Sequence, residues 1–349
     1  MSSGFWEKLK KPIFALAPMA DVTDAAFRRI IAKYGKPDVM WTEFVSADGL
    51  ALAPVYPAND GRGIGRKKLL KHLEYSESER PIVAQFFTSS PTHMRRAAEL
   101  AHQLGFDGVD INMGCPDRSV EKQGAGASLM KNVKLARELV RAAKEGSGGL
   151  PVSVKTRIGY SKPELEKWLP EILEEEPAVV TVHARTRKEM SKVPARWEFV
   201  KRAVEIRDEF AIRHAQGKNK TLIFGNGDVK NLEEARQRVV ETGCDGVMLG
   251  RAIFGNPWLF TEQESSMEEK LRVLVEHTKL FEELLACPAE ALAKGEGYKN
   301  FAVMKKHFKA YISGFDGAAD LRAKLMDTDN AHQVEEIVSE FLKNRIIPT

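Results

Sequence analysis

Cysteine is scarce in this chain of 349 residues: there are three, Cys115, Cys244 and Cys287, they lie far apart, and no two form a Cys-x-x-Cys pair. That argues against a disulfide framework and against a zinc site, and it fits a reducing, cytoplasmic setting. A chain this long can bury a core large enough to fold without a covalent or metal staple. Long apolar runs are also lacking. The opening MSSGFWEKLKKP shows no secretory signal, and no apolar stretch approaches the length of a membrane span. No Gly-x-Gly-x-x-Gly turn follows the first strand-like run, which leads into APMADVTD; this speaks against a doubly wound dinucleotide fold. Carboxylates do not cluster at metal-ligand spacing, so no metal is expected. Charge of one sign does not dominate either. Lys and Arg number 53 against 49 Asp and Glu, a net +4, compatible with a polyanionic partner and no proof of one.

What is present is a repeat of short apolar runs and amphipathic stretches. Strands are predicted near Ile13–Ala17, Val39–Phe44, Ile82–Phe86, Gly108–Asn112, Val152–Lys155, Val179–His183, Leu222–Gly225 and Gly246–Leu249, with helical patterns such as SPTHMRRAAELAHQLG and NLEEARQRVVETG between them. Strand-then-helix repeated eight times predicts an α/β fold, a parallel (β/α)8 TIM barrel. After GNPWLF the pattern is helical throughout. The expected division is a barrel over residues 1–261 and an all-helical domain over residues 262–349. The glycine-rich DGRGIGRKK, Asp60 to Lys68, has the wrong spacing for a phosphate cradle; its Arg62, Arg66, Lys67 and Lys68, with Lys71, make a basic excursion or a solvated face.

Barrel enzymes work at the C-terminal ends of their strands. Those ends carry Pro18-Met19-Ala20, Glu43, Gln85, Asn112 to Cys115, Lys155 with Arg157, His183 with Arg185 and Arg187, Asn226-Gly227-Asp228, and Gly250-Arg251. The last two groups suit a phosphate: the glycines let backbone approach closely, and Arg251 adds charge-assisted hydrogen bonds. A phosphate alone does not choose between a sugar phosphate and flavin mononucleotide. A flavin ring also needs an apolar seat, which Ala17 to Met19 can form, a partner for its pyrimidine edge, which Gln85 can be, and a cation near N1 and O2, which Lys155 supplies. One strand end poses its own question. In DGVDINMGCPDRSV a thiol, Cys115, stands between a glycine and a proline, where packing has no need of it.

In order along the chain stand APMADVTDAAFR, QFF, DINMGCPDRSVEKQGAGASLM, VKTRIG, VHARTR, GNGDV and GRAIFGNPWLF. Together they resemble the dihydrouridine synthases, flavin enzymes that reduce uridine in RNA, chiefly tRNA. The C-terminal MKKHFKAYISGFDGAADLR is similar to the helical RNA-binding domain of that family. The resemblance implies an FMN-binding barrel followed by a four-helix domain, reduction of the flavin by NADPH, hydride transfer to C6 of an extruded uracil, and a proton from a cysteine to C5. It implies Cys115 as that acid. It implies FMN contacts at Pro18, Met19, Ala20, Gln85, Lys155, His183, Asn226, Gly227, Asp228, Gly250 and Arg251, and substrate contacts at Asn112, Arg185 and Arg187. The chain departs from the family's usual pattern at Ala184 in HARTR and at Ser191-Lys192, where an aromatic-containing turn is more usual.

A thiol is mostly protonated at neutral pH, which is what a proton donor to C5 requires. A mobile loop is expected to carry it. Cys244 and Cys287 read as packing residues. Affinity for RNA is expected from Lys305, Lys306, His307 and Lys309 with Phe308 and Tyr311 interleaved, helped by Lys10, Lys11 and the Arg62–Lys71 cluster. The expected partner is tRNA, with ribosomal RNA left open, and a monomer is the default. Two rivals are weighed. A flavin barrel acting on a free pyrimidine, as dihydroorotate dehydrogenases do, needs neither basic runs nor a helical domain. An RNA-binding protein with a vestigial barrel needs neither Cys115 nor Lys155.

Overall fold

The structure, a computed structural model, describes residues 4–52, 62–214, 221–286 and 298–346. Cys287, Asp60 and Gly61, singled out in the sequence, lie outside the described residues. Among the described residues no helix is long and apolar enough to cross a membrane.

The strands are β1 (Ile13–Leu16), β2 (Met40–Trp41), β3 (Val45–Ser46), β4 (Ile82–Phe87), β5 (Gly108–Asn112), β6 (Val152–Arg157), β7 (Val179–His183), β8 (Leu222–Asn226) and β9 (Gly246–Leu249). All pair in parallel, in the order β1-β9-β8-β7-β6-β5-β4-β2, with β3 also on β4. A single bridge between Ala15 and Val39 joins the two ends and closes the barrel. The predicted (β/α)8 barrel is the fold. Its second strand is interrupted where a side chain takes the place of a backbone partner. Thr42 Oγ1, a side-chain atom, accepts the Gln85 backbone N–H at 3.1 Å. A continuous strand would use a carbonyl there.

Helices follow the strands with local start and stop signals. Ser90 Oγ caps Pro91–Gln103 by accepting from the His93 N–H at 3.3 Å, with proline at the first helical position. Asn132 and Asn231 cap Val133–Gly146 and Leu232–Thr242 in the same way. Gly243, at φ +70°, ends the latter helix. At the N-terminal ends of the strands, Trp6 packs against Trp41 and Phe224, with ring centroids 5.9 and 5.7 Å away.

By backbone packing the chain divides into two compact units. One holds residues 1–20, 37–73 and 80–250 and contains the barrel strands. The other holds residues 21–36, 74–79 and 251–349, so it takes in the helix Ala25–Tyr34 as well as the C-terminal helices. Four of those, Met267–Leu284, Lys305–Tyr311, Ala318–Met326 and Ala331–Ile346, lie among the described residues. Ser266 and Glu269 form a reciprocal capping box at the first. The core of this unit includes Leu271, Phe281, Met304, Phe308, Tyr311, Leu321, Leu325 and Val334. Phe308 and Tyr311, expected among the RNA-facing residues, are therefore core, and His307 is buried beside them. Lys309 is exposed, and Lys305 and Lys306 are half-buried.

Three polar side chains buried in this unit carry atoms with no hydrogen-bond partner among the described residues. Both ring nitrogens of His277, Nδ1 of His307 and the Tyr311 hydroxyl make no hydrogen bond. The two imidazoles pack edge to face at 4.8 Å, and His307 stacks near Phe27 and Phe254. Burial lowers the His277 pKa to about 3 and holds His307 well below the usual histidine range. The same burial raises the Tyr311 phenol.

Candidate active site

Strand register sets which side chains meet at the C-terminal face. Gln85 on β4 stands opposite Asp110 on β5, Asp110 opposite Ser153 on β6, and Asn112 opposite Lys155. Arg157, His183 and Asn226 follow one another at the ends of β6, β7 and β8. Because side chains alternate between the two faces of a strand, Asp110 and Asn112 share one face while Val109 and Ile111 take the other.

Most of these groups fall into two separate chains of hydrogen bonds. Asp110 accepts from Ser153 Oγ and from Gln85 Nε2, each at 2.6 Å. Gln85 Oε1 accepts from Asn112 Nδ2 at 3.2 Å. Asn112 Oδ1 then accepts the backbone N–H groups of Gly114 at 3.1 Å and Cys115 at 2.9 Å. Lys155 Nζ donates to Asn226 Oδ1 at 3.2 Å, and Asn226 Nδ2 donates to the Met248 carbonyl at 2.7 Å.

Electrostatics follow from burial. Asp110 is fully buried, and desolvation pushes its pKa up to about 6 against the pull of Ser153, Gln85 and the Lys155 charge. Desolvation and the neighbouring Arg157 cation bring Lys155 down to about 8. Burial raises the Cys115 thiol above its ordinary value, so at neutral pH it carries its proton.

The loop expected to be mobile is tied at each of its carbonyls. Arg157 Nε donates to the Gly114 carbonyl at 2.7 Å, the Ala127 N–H to that of Cys115 at 3.0 Å, and an Arg187 nitrogen to that of Pro116 at 3.2 Å. Gly126, at φ +61°, lies against Cys115; a Cβ there would come within 2.9 Å of the Cys115 carbonyl oxygen. The thiol residue packs, as Phe44 does, on the cluster of Phe87, Val120 and Ala125. Cys244 is buried, with its thiol donating to the Gly246 carbonyl at 3.3 Å.

The sequence candidates thus fall into groups. Gln85, Asn112 and Cys115 share one hydrogen-bonded chain, and Lys155 joins Asn226. His183 lies beside Gly227, where a Cβ would meet its ring at 3.3 Å and Ala195 at 2.9 Å; Gly227 has φ +131°. Gly250 neighbours the apolar seat, with Met19 Sδ 3.5 Å and Ala17 Cβ 3.6 Å from where its Cβ would be. Pro18 is half-buried and Ala20 exposed. Arg185 has internal partners, donating to the Val193 carbonyl at 2.5 Å, to the exposed Asp228 and, at 3.3 Å, facing His183 Nε2. Arg187 is paired with Glu121. Arg251 opens the short turn Arg251–Ile253, in the segment that belongs to the second compact unit. Sequence reasoning missed Asp110 and Ser153. A visible signal existed: a carboxylate between Val109 and Ile111, in a strand otherwise apolar or small, has to be buried with partners.

A parallel (β/α)8 barrel that gathers a protonated thiol, an ammonium and a buried amide chain at the C-terminal ends of its strands has the frame of a barrel enzyme. The family model for "Dihydrouridine synthase (Dus)" matches residues 15–346. The "Probable tRNA-dihydrouridine synthase 2" of Bacillus subtilis (strain 168) is 38% identical over 98% of this chain and 97% of that protein. The "Probable tRNA-dihydrouridine synthase" of Staphylococcus aureus (strain COL) is 36% identical over 98% of this chain and 96% of that one. Among solved structures, morphinone reductase in complex with tetrahydroNAD is similar at a TM-score of 0.44 and 15% identity, over 70% of this chain and 84% of that chain, a likeness too slight to carry weight. This chain belongs to the dihydrouridine synthase family.

Proposed function

We propose that this chain is a tRNA-dihydrouridine synthase that reduces the C5–C6 double bond of uridine in tRNA, with NADPH as electron donor and flavin mononucleotide as the bound cofactor. The barrel face fits such a group. Gly250 lies against the apolar Met19 and Ala17, which would form the seat for a flat ring, and the left-handed Gly227 presents backbone with no Cβ in the way. The Lys155 ammonium has three donors, and Asn226 takes one of them. Lys155, Gln85, His183, Asn226, Gly227 and Asp228 would hold the flavin with Pro18, Met19, Ala20 and Gly250, and Arg251 would add charge for its phosphate.

FMN, when bound, supplies the hydride that ends on C6 of the base. The chain's own residues do the rest. Lys155 places positive charge where negative charge develops. Asn112, with one Nδ2 hydrogen beyond its bond to Gln85, holds the edge of the uracil, and Arg185 and Arg187 border the substrate. Cys115 Sγ keeps a proton at neutral pH and gives it to C5. The observation that carries the reading is the part-buried Cys115, its backbone N–H held by Asn112 at the end of the buried amide chain. An extruded base loses its stacking, a cost of about a few kcal/mol. The helical region, residues 262–349, supplies compensating RNA contacts, with Lys305, Lys306 and Lys309 foremost; the catalytic barrel spans residues 1–261. The working location is the cytoplasm and the working form a monomer.

The test is direct. Purified protein incubated with NADPH and an unmodified tRNA transcript should form dihydrouridine, with FMN released on denaturation. FAD or no flavin after reconstitution would overturn the cofactor assignment. Dihydrouridine formed only in ribosomal RNA, or only from the free pyrimidine, would overturn the substrate.

A further inference from the structure

We infer that Asp110 is a positioning residue that fixes which way the carboxamides of Gln85 and Asn112 point, and through them the backbone that carries the Cys115 thiol. The inference deepens the proposed function and takes from it only the role of that thiol.

The argument is one of hydrogen-bond polarity. A carboxylate only accepts, and a backbone N–H only donates. The chain from Asp110 to Gly114 and Cys115 runs from the first kind of group to the second, with two amides between. Asp110 Oδ2 requires the nitrogen end of Gln85, at 2.6 Å. That turns Gln85 Oε1 to Asn112 and requires the nitrogen end of Asn112, at 3.2 Å. Asn112 Oδ1 is then left facing two donors, at 3.1 and 2.9 Å. Turning either amide over sets donor against donor in a buried place: Gln85 and Asp110 are fully buried, Ser153 is 2% exposed and Asn112 5%. An unpaired buried donor is expensive. Each amide therefore has one allowed orientation, dictated from both ends. Asp110 is itself held by Ser153 Oγ at 2.6 Å, and that hydroxyl also lies 3.3 Å from the Val109 carbonyl.

Asparagine at position 110 can preserve the polarity. Its oxygen accepts from Gln85 while its nitrogen donates to Ser153 Oγ, whose own hydrogen turns to the Val109 carbonyl. Without the serine hydroxyl, that asparagine is told which way to face only from the Gln85 side, by the N–H groups of Gly114 and Cys115. Asp110→Asn and Ser153→Ala are thus each mild alone, and more than multiplicative together because the amide chain is then held from one end only.

The experiment uses the full-length holoenzyme with Cys244→Ala and Cys287→Ala, leaving Cys115 as the sole thiol. Two rates are compared in this background, in each single variant and in the double variant. One is alkylation of Cys115 by iodoacetamide across pH, which needs no substrate. The other is anaerobic reoxidation of the reduced enzyme by tRNA. The double variant should be alkylated faster by about threefold or more as its loop loosens. It should be reoxidised about tenfold or more slowly than the product of the single effects predicts, at unchanged tRNA affinity. Alkylation of the double variant equal to the background overturns the inference, whatever the activity. Effects that merely multiply overturn it too. Altered alkylation in an enzyme whose unmutated form makes no dihydrouridine keeps the anchor and removes the enzymatic reading. Should the double variant not fold, Asp110→Ser, too short to reach Gln85, is judged by the same two rates.

Discussion

Two sets of buried polar side chains, one in each compact unit, are treated in opposite ways. In the barrel unit Asp110, Gln85, Ser153 and Asn112 are buried and each is bonded to the next. In the helical unit His277, His307 and Tyr311 are buried as deeply and have ring or hydroxyl atoms bonded to nothing. Partners let the first set keep polarity and charge. Their absence makes the second set behave as aromatic packing, with imidazoles held neutral. A buried titratable group, even a strongly perturbed one, does not mark a site by itself. In the barrel unit the bonded set runs from Asp110 through Gln85 and Asn112 to the backbone of Cys115, the residue proposed above as the acid.

The largest effect should come from breaking the barrel side of this contrast. Cys115→Ala should bind FMN and accept hydride from NADPH as the unmutated protein does, since neither step uses the thiol. Reoxidation by tRNA should slow by roughly 10²–10⁴-fold, the range for losing a positioned general acid. Cys244→Ala, which removes a packing thiol, should leave that step alone. Equal rates for Cys115→Ala and the unmutated enzyme in rapid-mixing experiments would return Cys115 to a loop residue.

A smaller effect tests what the helical unit contributes at its surface. Changing Lys305, Lys306 and Lys309 together to Glu should weaken tRNA binding and reduce the slope of log affinity against log salt by roughly one for each phosphate no longer neutralised. Flavin reduction by NADPH should persist. Affinity unchanged from low to high salt would mean that this face is only solvated.

The smallest effect sharpens the helical side. As pH falls below about 6.5 an unfolded chain protonates its histidines, while folded His277 stays neutral down to about 3. The unfolded state then binds more protons than the folded state, so stability is lost on acidification. The loss is up to about 1.4 kcal/mol per pH unit for such a histidine. Denaturant midpoints for the protein from pH 7.5 to 5 should show this slope, and His277→Leu should reduce it, leaving the share of His307. A slope indifferent to that substitution would mean that the folded imidazole takes up protons freely.

Much of the frame was legible because it rests on local pattern. Alternating apolar runs gave the strands, and Ser90-Pro91, Asn231 and Gly243 gave helix ends through caps that act within a few residues. The strand ends gave Cys115, Lys155, Gln85 and Asn112. What was illegible depends on distant partners. The break in the second strand falls where the Thr42 hydroxyl reaches Gln85, and the fastening of the thiol loop comes from Arg157, Ala127 and Arg187. One misreading was avoidable. Met304, Phe308 and Tyr311 fall at helical spacing on one face, so the aromatic residues of the basic run belonged to the core and the exposed Lys309 to the opposite side.

The fastening of Gly114, Cys115 and Pro116 to three separate parts of the barrel unit has an entropic consequence. Ordering one free backbone residue costs about 1–2 kcal/mol. A loose segment of this length, frozen only on encounter, would subtract several kcal/mol from association, as much as unstacking a base demands. In this fold much of that freedom is already given up in folding. On the function proposed above, an incoming RNA would meet a thiol whose backbone is already held, and its binding energy would stay available for drawing the uracil out of its stack.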